Sequence, residues 1–200
     1  MPLLGITGGI ASGKSTFRKL LLERIEADAF DTDACARELL DDDVSIREQV
    51  LEQVHPHAYE ESGKPNRALL RELVYKDAAK KRTLEGILHP MIRDRWSRQA
   101  REAEAANRMF VVDIPLLFET KAESLFDKII AVACSVELQL LRLERNRNLP
   151  REISEKIIAS QMPMSVKISR SHHVVWNEGT LDILTAQTDL LARHLHDRYG

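Results

Sequence analysis

The residues Gly8-Gly9-Ile10-Ala11-Ser12-Gly13-Lys14-Ser15 satisfy the pattern G-x-x-x-x-G-K-S/T, and no other stretch restricts the fold of this chain as strongly. An apolar run at 3–7 precedes them, and Phe17, Leu20, Leu21 and Ile25 recur behind them at helical spacing. A strand, a glycine-rich turn and an amphipathic helix in that order make a phosphate-binding loop, or P-loop. Glycine permits positive φ and close backbone approach, so successive N–H groups can wrap a polyphosphate. The helix opening near Gly13 aims the positive end of its dipole at the same anion. Lys14 can reach the β- and γ-phosphates, and the Ser15 hydroxyl can ligate Mg²⁺.

The rest of the chain alternates strands and helices. Strand-like runs fall at 3–7, 29–31, 109–113, 128–133 and 173–176. The first, third and fourth are nearly continuous apolar runs, as in parallel strands covered on both faces. Leu181, Leu184, Leu191 and Leu195 mark a closing helix. The expected fold is α/β, a doubly wound parallel sheet of about five strands of the P-loop NTPase type. The interval 34–107 holds no strand. It reads as helices at 46–54, 66–81 and 90–105, with a turn at Ser62-Gly63-Lys64-Pro65 and with Pro90 in the first turn of the last helix. Helices over 137–170 are broken near 148–150 and at Pro163. This divides the chain into a nucleotide-binding core (1–33, 108–136 and 171–200), a helical insertion (34–107) and an Arg-rich lid (137–170).

The 200 residues carry 29 Lys and Arg against 31 Asp and Glu, a net −2 that excludes a broadly basic nucleic-acid binder. That figure conceals polarity. Residues 26–48 hold nine acids and two bases, whereas 142–170 hold seven bases and three acids. The basic stretch has no Phe, Tyr or Trp on which bases could stack, so it suits a lid over phosphates better than an RNA surface. There is no basic region leading into an apolar run at the start, and no stretch approaches the ~20 apolar residues of a membrane span. Cys35 and Cys134 stand far apart and read as reduced thiols. The chain is expected to be cytoplasmic, acting on small molecules without nucleic acid, membrane or an obligate protein partner. His55-x-His57, His172-His173 and His194-x-His196 lack metal-site spacing, and Asp41-Asp42-Asp43 reads as a solvated cap.

What the loop does with a nucleotide is narrowed by absences in the sequence. A guanine-reading N-K-x-D is missing, the one D-x-x-G lies at 197–200, and no LSGGQ transport signature occurs. A small-metabolite kinase remains. Asp31-Thr32-Asp33 closes the second strand, and strand C-termini line the ligand crevice in such sheets. One of the two carboxylates can orient or deprotonate an acceptor hydroxyl, with Asp33 preferred, while Mg²⁺-bound water engages the other. Asp33 also stands where an N-cap would open a helix over 34–40. Asp113 ends the third strand and suits contact with Mg²⁺ through water.

Nearly the whole chain resembles the dephospho-CoA kinase family, the last enzymes of coenzyme A synthesis. The similarity rests on Ile6-Thr7-Gly8-Gly9-Ile10 with Ser12-Gly13-Lys14-Ser15, on Asp31-Thr32-Asp33 followed by Arg37-Glu38, and on Asn66-Arg67 with Leu70. It continues through Leu84-Glu85 and His89-Pro90-Met91-Ile92, the run Asp113-Ile114-Pro115-Leu116-Leu117-Phe118-Glu119, then Gln139, Arg142, Gln161, Met162, Pro163 and Lys167, and finally Asn177 with Gly179. The resemblance implies transfer of the ATP γ-phosphate to the ribose 3′-hydroxyl of dephospho-CoA, with Mg²⁺. Gly8, Gly9, Ala11, Ser12, Gly13, Lys14, Ser15, Thr16, Arg142 and Asn177 would hold ATP. Asp33, Arg37, His89, Arg93 and Lys167 would meet the substrate. Lys14, Asp33, Asp113 and Arg142 would act in catalysis, joined by Arg145 or Arg147, because Asn146 replaces the second arginine of the family's R-x-x-x-R.

Two further departures are visible. Ala11 takes the place of a glycine, which is tolerable if that residue keeps φ negative, and Ser171-His172 replaces an Ala-Asp ahead of the closing V-x-x-N. Nucleoside monophosphate and shikimate-type kinases share the loop and an early Asp-x-Asp, but the 113–119 run and His89-Pro90 favour the first family. A regulatory ATPase that transfers phosphate only to water is the remaining alternative.

Overall fold

A computed structural model describes residues Met1–Tyr199; Gly200, the last residue of the 197–200 match, lies outside the described residues. They form two compact units, Met1–Phe30 with Ala100 onward, and Asp31–Gln99.

The first unit is built on a parallel sheet. Its strands are β1 (Leu3–Gly8), β2 (Ala27–Asp31), β3 (Met109–Asp113), β4 (Lys128–Ala133) and β5 (His173–Trp176), in the order β2-β3-β1-β4-β5. The run at 3–7 gains one residue and that at 29–31 gains two; the other three keep the bounds read from the sequence. β1 lies at the centre, with Leu4 opposite Val111 of β3 and Ile6 opposite Ile130 of β4. On one face Leu4, Ile6, Ile130 and Val132 bury against Phe17 and Leu21 of α1 (Lys14–Leu22) and Leu184, Leu191 and Leu195 of α9 (Leu181–Tyr199). Gly5 points to the other face. A Cβ there would lie 2.7 Å from Leu117 Cδ1 and 3.0 Å from the Phe126 ring, so glycine lets the segment after β3 lie against the sheet. Between β4 and β5 run α6 (Val136–Arg147), α7 (Arg151–Ala159) and α8 (Met164–Arg170). Asn148 ends α6 in the left-handed region, and Pro163 immediately precedes α8, so both breaks follow the local signals.

The second unit is helical: α2 (Thr32–Asp42), α3 (Val44–Gln53), α4 (Arg67–Lys76) and α5 (Ala78–Ala105), the last of which continues into the first unit. Three boundaries differ from the sequence reading. The cap of α2 is Asp31, whose carboxylate accepts from Ala34 N at 2.9 Å, and Asp33 lies inside the first turn. The single helix expected over 66–81 breaks at Asp77. Its backbone turns extended there, and its carboxylate accepts from Ala79 N (2.8 Å) and Lys80 N (3.1 Å), an N-cap that aspartate favours over a helix interior. Pro90 does not start a helix; α5 passes through it. Proline removes the donor for the carbonyl four residues earlier, which belongs to Gly86. Both residues are solvent-exposed, so water can take that carbonyl. No helix among the described residues is long and apolar enough to cross a membrane.

Candidate active site

Residues 8–15 join the end of β1 to α1, with Gly13 as the N-cap at φ 89. Side chains from distant parts of the same unit hold three consecutive carbonyls of this loop. Gln139 Nε2 donates to Ile10 O (2.6 Å), Arg142 Nη1 to Ala11 O (3.2 Å) and Asn177 Nδ2 to Ser12 O (2.8 Å). In a trans peptide the N–H opposes the carbonyl. The N–H groups of Ala11 and Gly13 therefore face the opposite way, which suits them to an anion, while that of Ser12 donates to Gly9 O at 3.2 Å and closes the turn. Arg142 Nη2 also donates to Asn177 O (3.1 Å), and Gln161 Oε1 accepts from Ile10 N (3.0 Å), which closes the frame.

Ala11 does not meet the condition for an easy replacement of glycine: its φ is +57. Left-handed backbone costs a non-glycine residue roughly 1–2 kcal/mol, and the framing side chains maintain it here. Ala11→Gly should relieve this strain while adding freedom to the unfolded chain. The expected net gain is about 0.5–1 kcal/mol, read as a Tm rise of roughly 1–3 °C in calorimetry.

Lys14 lies in the first turn of α1 and contacts the carboxylate of Asp113 at the end of β3. Arg18, one turn further along α1, places Nη1 3.4 Å from the second oxygen of Asp113. The Asp113 side chain is 3% exposed, so these cations offset the cost of burying its charge. Ser15 and Thr16 are exposed at the start of α1. Gly8 and Gly9 are needed for close approach. A Cβ on Gly8 would sit 2.5 Å from Val132 O, and one on Gly9 would strike the Gln139 amide.

Lys167 was expected on the substrate; the structure encloses it instead. It is 0% exposed, and its ammonium meets Glu119 Oε1 (2.9 Å), Pro115 O (3.0 Å) and Gly8 O (3.5 Å). A buried ammonium needs such partners, and these tie α8 to the end of β1 and the segment after β3. Glu119 Oε1 also accepts from Met162 N at 2.9 Å. Arg145 and Arg147 are both exposed in the last turn of α6. Both cysteines are free and buried. Burial raises the Cys134 thiol to about 11 despite nearby Arg142, so it is a neutral packing group near the site.

In the second unit, Asp33 and Arg37 stand one turn apart on α2, and His89 and Arg93 one turn apart on α5; all four are exposed. Arg95 Nη1 pairs with Glu38 at 2.7 Å, and Arg67 Nη2 meets both oxygens of Asp41 at 2.7 Å. The sequence reading did not use Gln139, Gln161, Glu119 or Arg18 as site residues. Only Arg18 carried a local signal, its four-residue spacing from Lys14.

The dephospho-CoA kinase family model matches residues 2–182. The chain belongs to the dephospho-CoA kinase family. A dephospho-CoA kinase from Burkholderia lata is 38% identical over 201 residues, covering 98% of this chain and 95% of that protein. A solved structure from Thermus thermophilus superposes with a TM-score of 0.79 at 31% identity, covering 96% of this chain and 97% of that one. The dephospho-CoA kinase from Campylobacter jejuni gives 0.71 at 25% identity, covering 98% and 97% respectively. Family membership makes the chain a kinase with ATP as phosphoryl donor, and the framed loop is where the family motif and the phosphate-binding geometry coincide.

Proposed function

We propose that this chain transfers the γ-phosphate of ATP to the ribose 3′-hydroxyl of dephospho-CoA, giving ADP and CoA in the cytoplasm. The observation that carries the reading is the loop framed by Gln139, Arg142 and Asn177, with Lys14 on Asp113, in a chain of this family. In the step, the 3′-oxygen bonds to the γ-phosphorus, the bond from that phosphorus to the β–γ bridging oxygen breaks, and ADP leaves. Lys14 neutralises the β- and γ-phosphates, and the N–H groups of Ala11 and Gly13 hold them. Asp33 orients the 3′-hydroxyl and accepts its proton. Its place is the first turn of α2.

Among the described residues there is no group of three or more His, Cys, Asp and Glu side chains arranged for a metal ion. Mg²⁺ in a phosphoryl-transfer site needs none, because phosphate oxygens and waters complete its octahedron. Within the first unit the residue types fit: Ser15 presents an exposed hydroxyl, and Asp113 offers a carboxylate for water-mediated contact. Asp31 is the further carboxylate the reading assigns to water-mediated contact. Bound there, Mg²⁺ would neutralise charge on the β- and γ-phosphates. Residues 34–107, with Arg37, His89 and Arg93, take the CoA portion. Residues 137–170 form the lid, in which Arg142 and either Arg145 or Arg147 cover the transferring group and exclude water.

ADP release measured with dephospho-CoA, shikimate, a nucleoside monophosphate or no acceptor tests the proposal. Release only with dephospho-CoA, and CoA as the product by mass, is the expected result. Acceptor-independent release would replace it with an ATPase that uses water.

A further inference from the structure

Asp113 is held by two cations from one helix face. Lys14 contacts one carboxylate oxygen, and Arg18 Nη1 lies 3.4 Å from the other. All three side chains are largely enclosed, at 13% exposure for Lys14, 24% for Arg18 and 3% for Asp113. Lys14 cannot give its full charge to Asp113 and to a polyphosphate together. When its ammonium moves toward the phosphates, the buried carboxylate loses much of one counter-charge, and that loss opposes nucleotide binding. Arg18 is placed to offset it. Its Nη1 lies 3.4 Å from the second Asp113 oxygen, so a cation stays beside the carboxylate as Lys14 leaves.

We propose that Arg18 is a positioning residue that takes over the Asp113 carboxylate and so releases Lys14 to the nucleotide. The inference rests on the kinase reading only in putting ATP at the loop of residues 8–15.

ATP binding by calorimetry in EDTA, without Mg²⁺ or acceptor, tests it through a double-mutant cycle. Arg18→Met should weaken ATP binding about tenfold, the lower range for losing a charge-assisted hydrogen bond. In an Asp113→Asn background the carboxylate needs no counter-charge. There Arg18→Met should change ATP binding by less than about twofold. Arg18→Lys should recover most of the affinity, since it keeps the cation. An equal loss in both backgrounds would mean that Arg18 touches the phosphates itself, and would overturn the proposal. So would undiminished binding by Arg18→Met. If Asp113→Asn does not fold by circular dichroism, Asp113→Ser completes the same cycle. Failure of the wild-type chain to bind ATP would instead overturn the nucleotide assignment of the loop, which separates the two failures.

Discussion

Lys14→Ala will lower kcat/KM at least about 10³-fold, because it removes a preorganised cation from the place where phosphate charge develops. The loss should appear in kcat as well as KM, since the charge on the transferring group grows as the bond to ADP breaks. The same change has a second consequence for the resting protein. It strips one counter-charge from a carboxylate that is 3% exposed, leaving Arg18 beside it. The fold should persist with a stability loss of about 1–3 kcal/mol. Adding Asp113→Asn should recover part of that stability without recovering turnover. Thermal unfolding and steady-state assays of the single and double variants check both halves, and near-wild-type turnover by Lys14→Ala would refute the role of the loop.

Gly13→Ala is expected to abolish ATP binding and cost about 2–4 kcal/mol, from left-handed strain together with overpacking. Gly13 has φ +89, and a Cβ there would run into the amide of Asn177. That amide holds the carbonyl of Ser12, so the added methyl dislodges one of the three braces that turn the loop's N–H groups toward the anion. Gly13→Ala and Ala11→Gly, two residues apart, should therefore shift stability in opposite directions. A Gly13→Ala protein with wild-type ATP affinity in calorimetry would show that the Asn177 brace has no part in binding.

The strands and the loop were legible because their signals are local. Continuous apolar runs can only be covered strands in a chain of this pattern, and the G-x-x-x-x-G-K-S run requires a strand before it and a helix after it. Local competition misled where two signals overlapped. Asp31 and Asp33 are both good caps two residues apart, and it is the Asp31 carboxylate that takes the Ala34 N–H, with Thr32 buried inside the helix start. Asp77 was read through because hydrophobic spacing continues on either side of it, whereas its carboxylate in fact caps the next helix. Pro90 is a strong stop signal, yet exposure of the orphaned Gly86 carbonyl lets α5 run on. At the site, family resemblance pointed to Lys167, but no pattern in the sequence distinguishes an ammonium buried on Glu119 and two carbonyls from one that faces a ligand. The left-handed φ of Ala11 was equally invisible, and the Arg142 side chain that holds its carbonyl comes from 131 residues away.

The sheet order carries a consequence for how the chain is made. β1 comes first in sequence among the five strands of the sheet and is the central one, between β3 and β4. Its partners begin at Met109 and Lys128, and the braces of the loop come from positions 129 to 165 residues further on. Pairings this distant in sequence close slowly, because chain entropy is lost before any contact is gained. A nascent chain ending anywhere before Asn177 therefore displays the whole nucleotide motif without the complete frame that shapes it. Capacity to hold ATP should arrive only once Asn177 has been made, just ahead of α9.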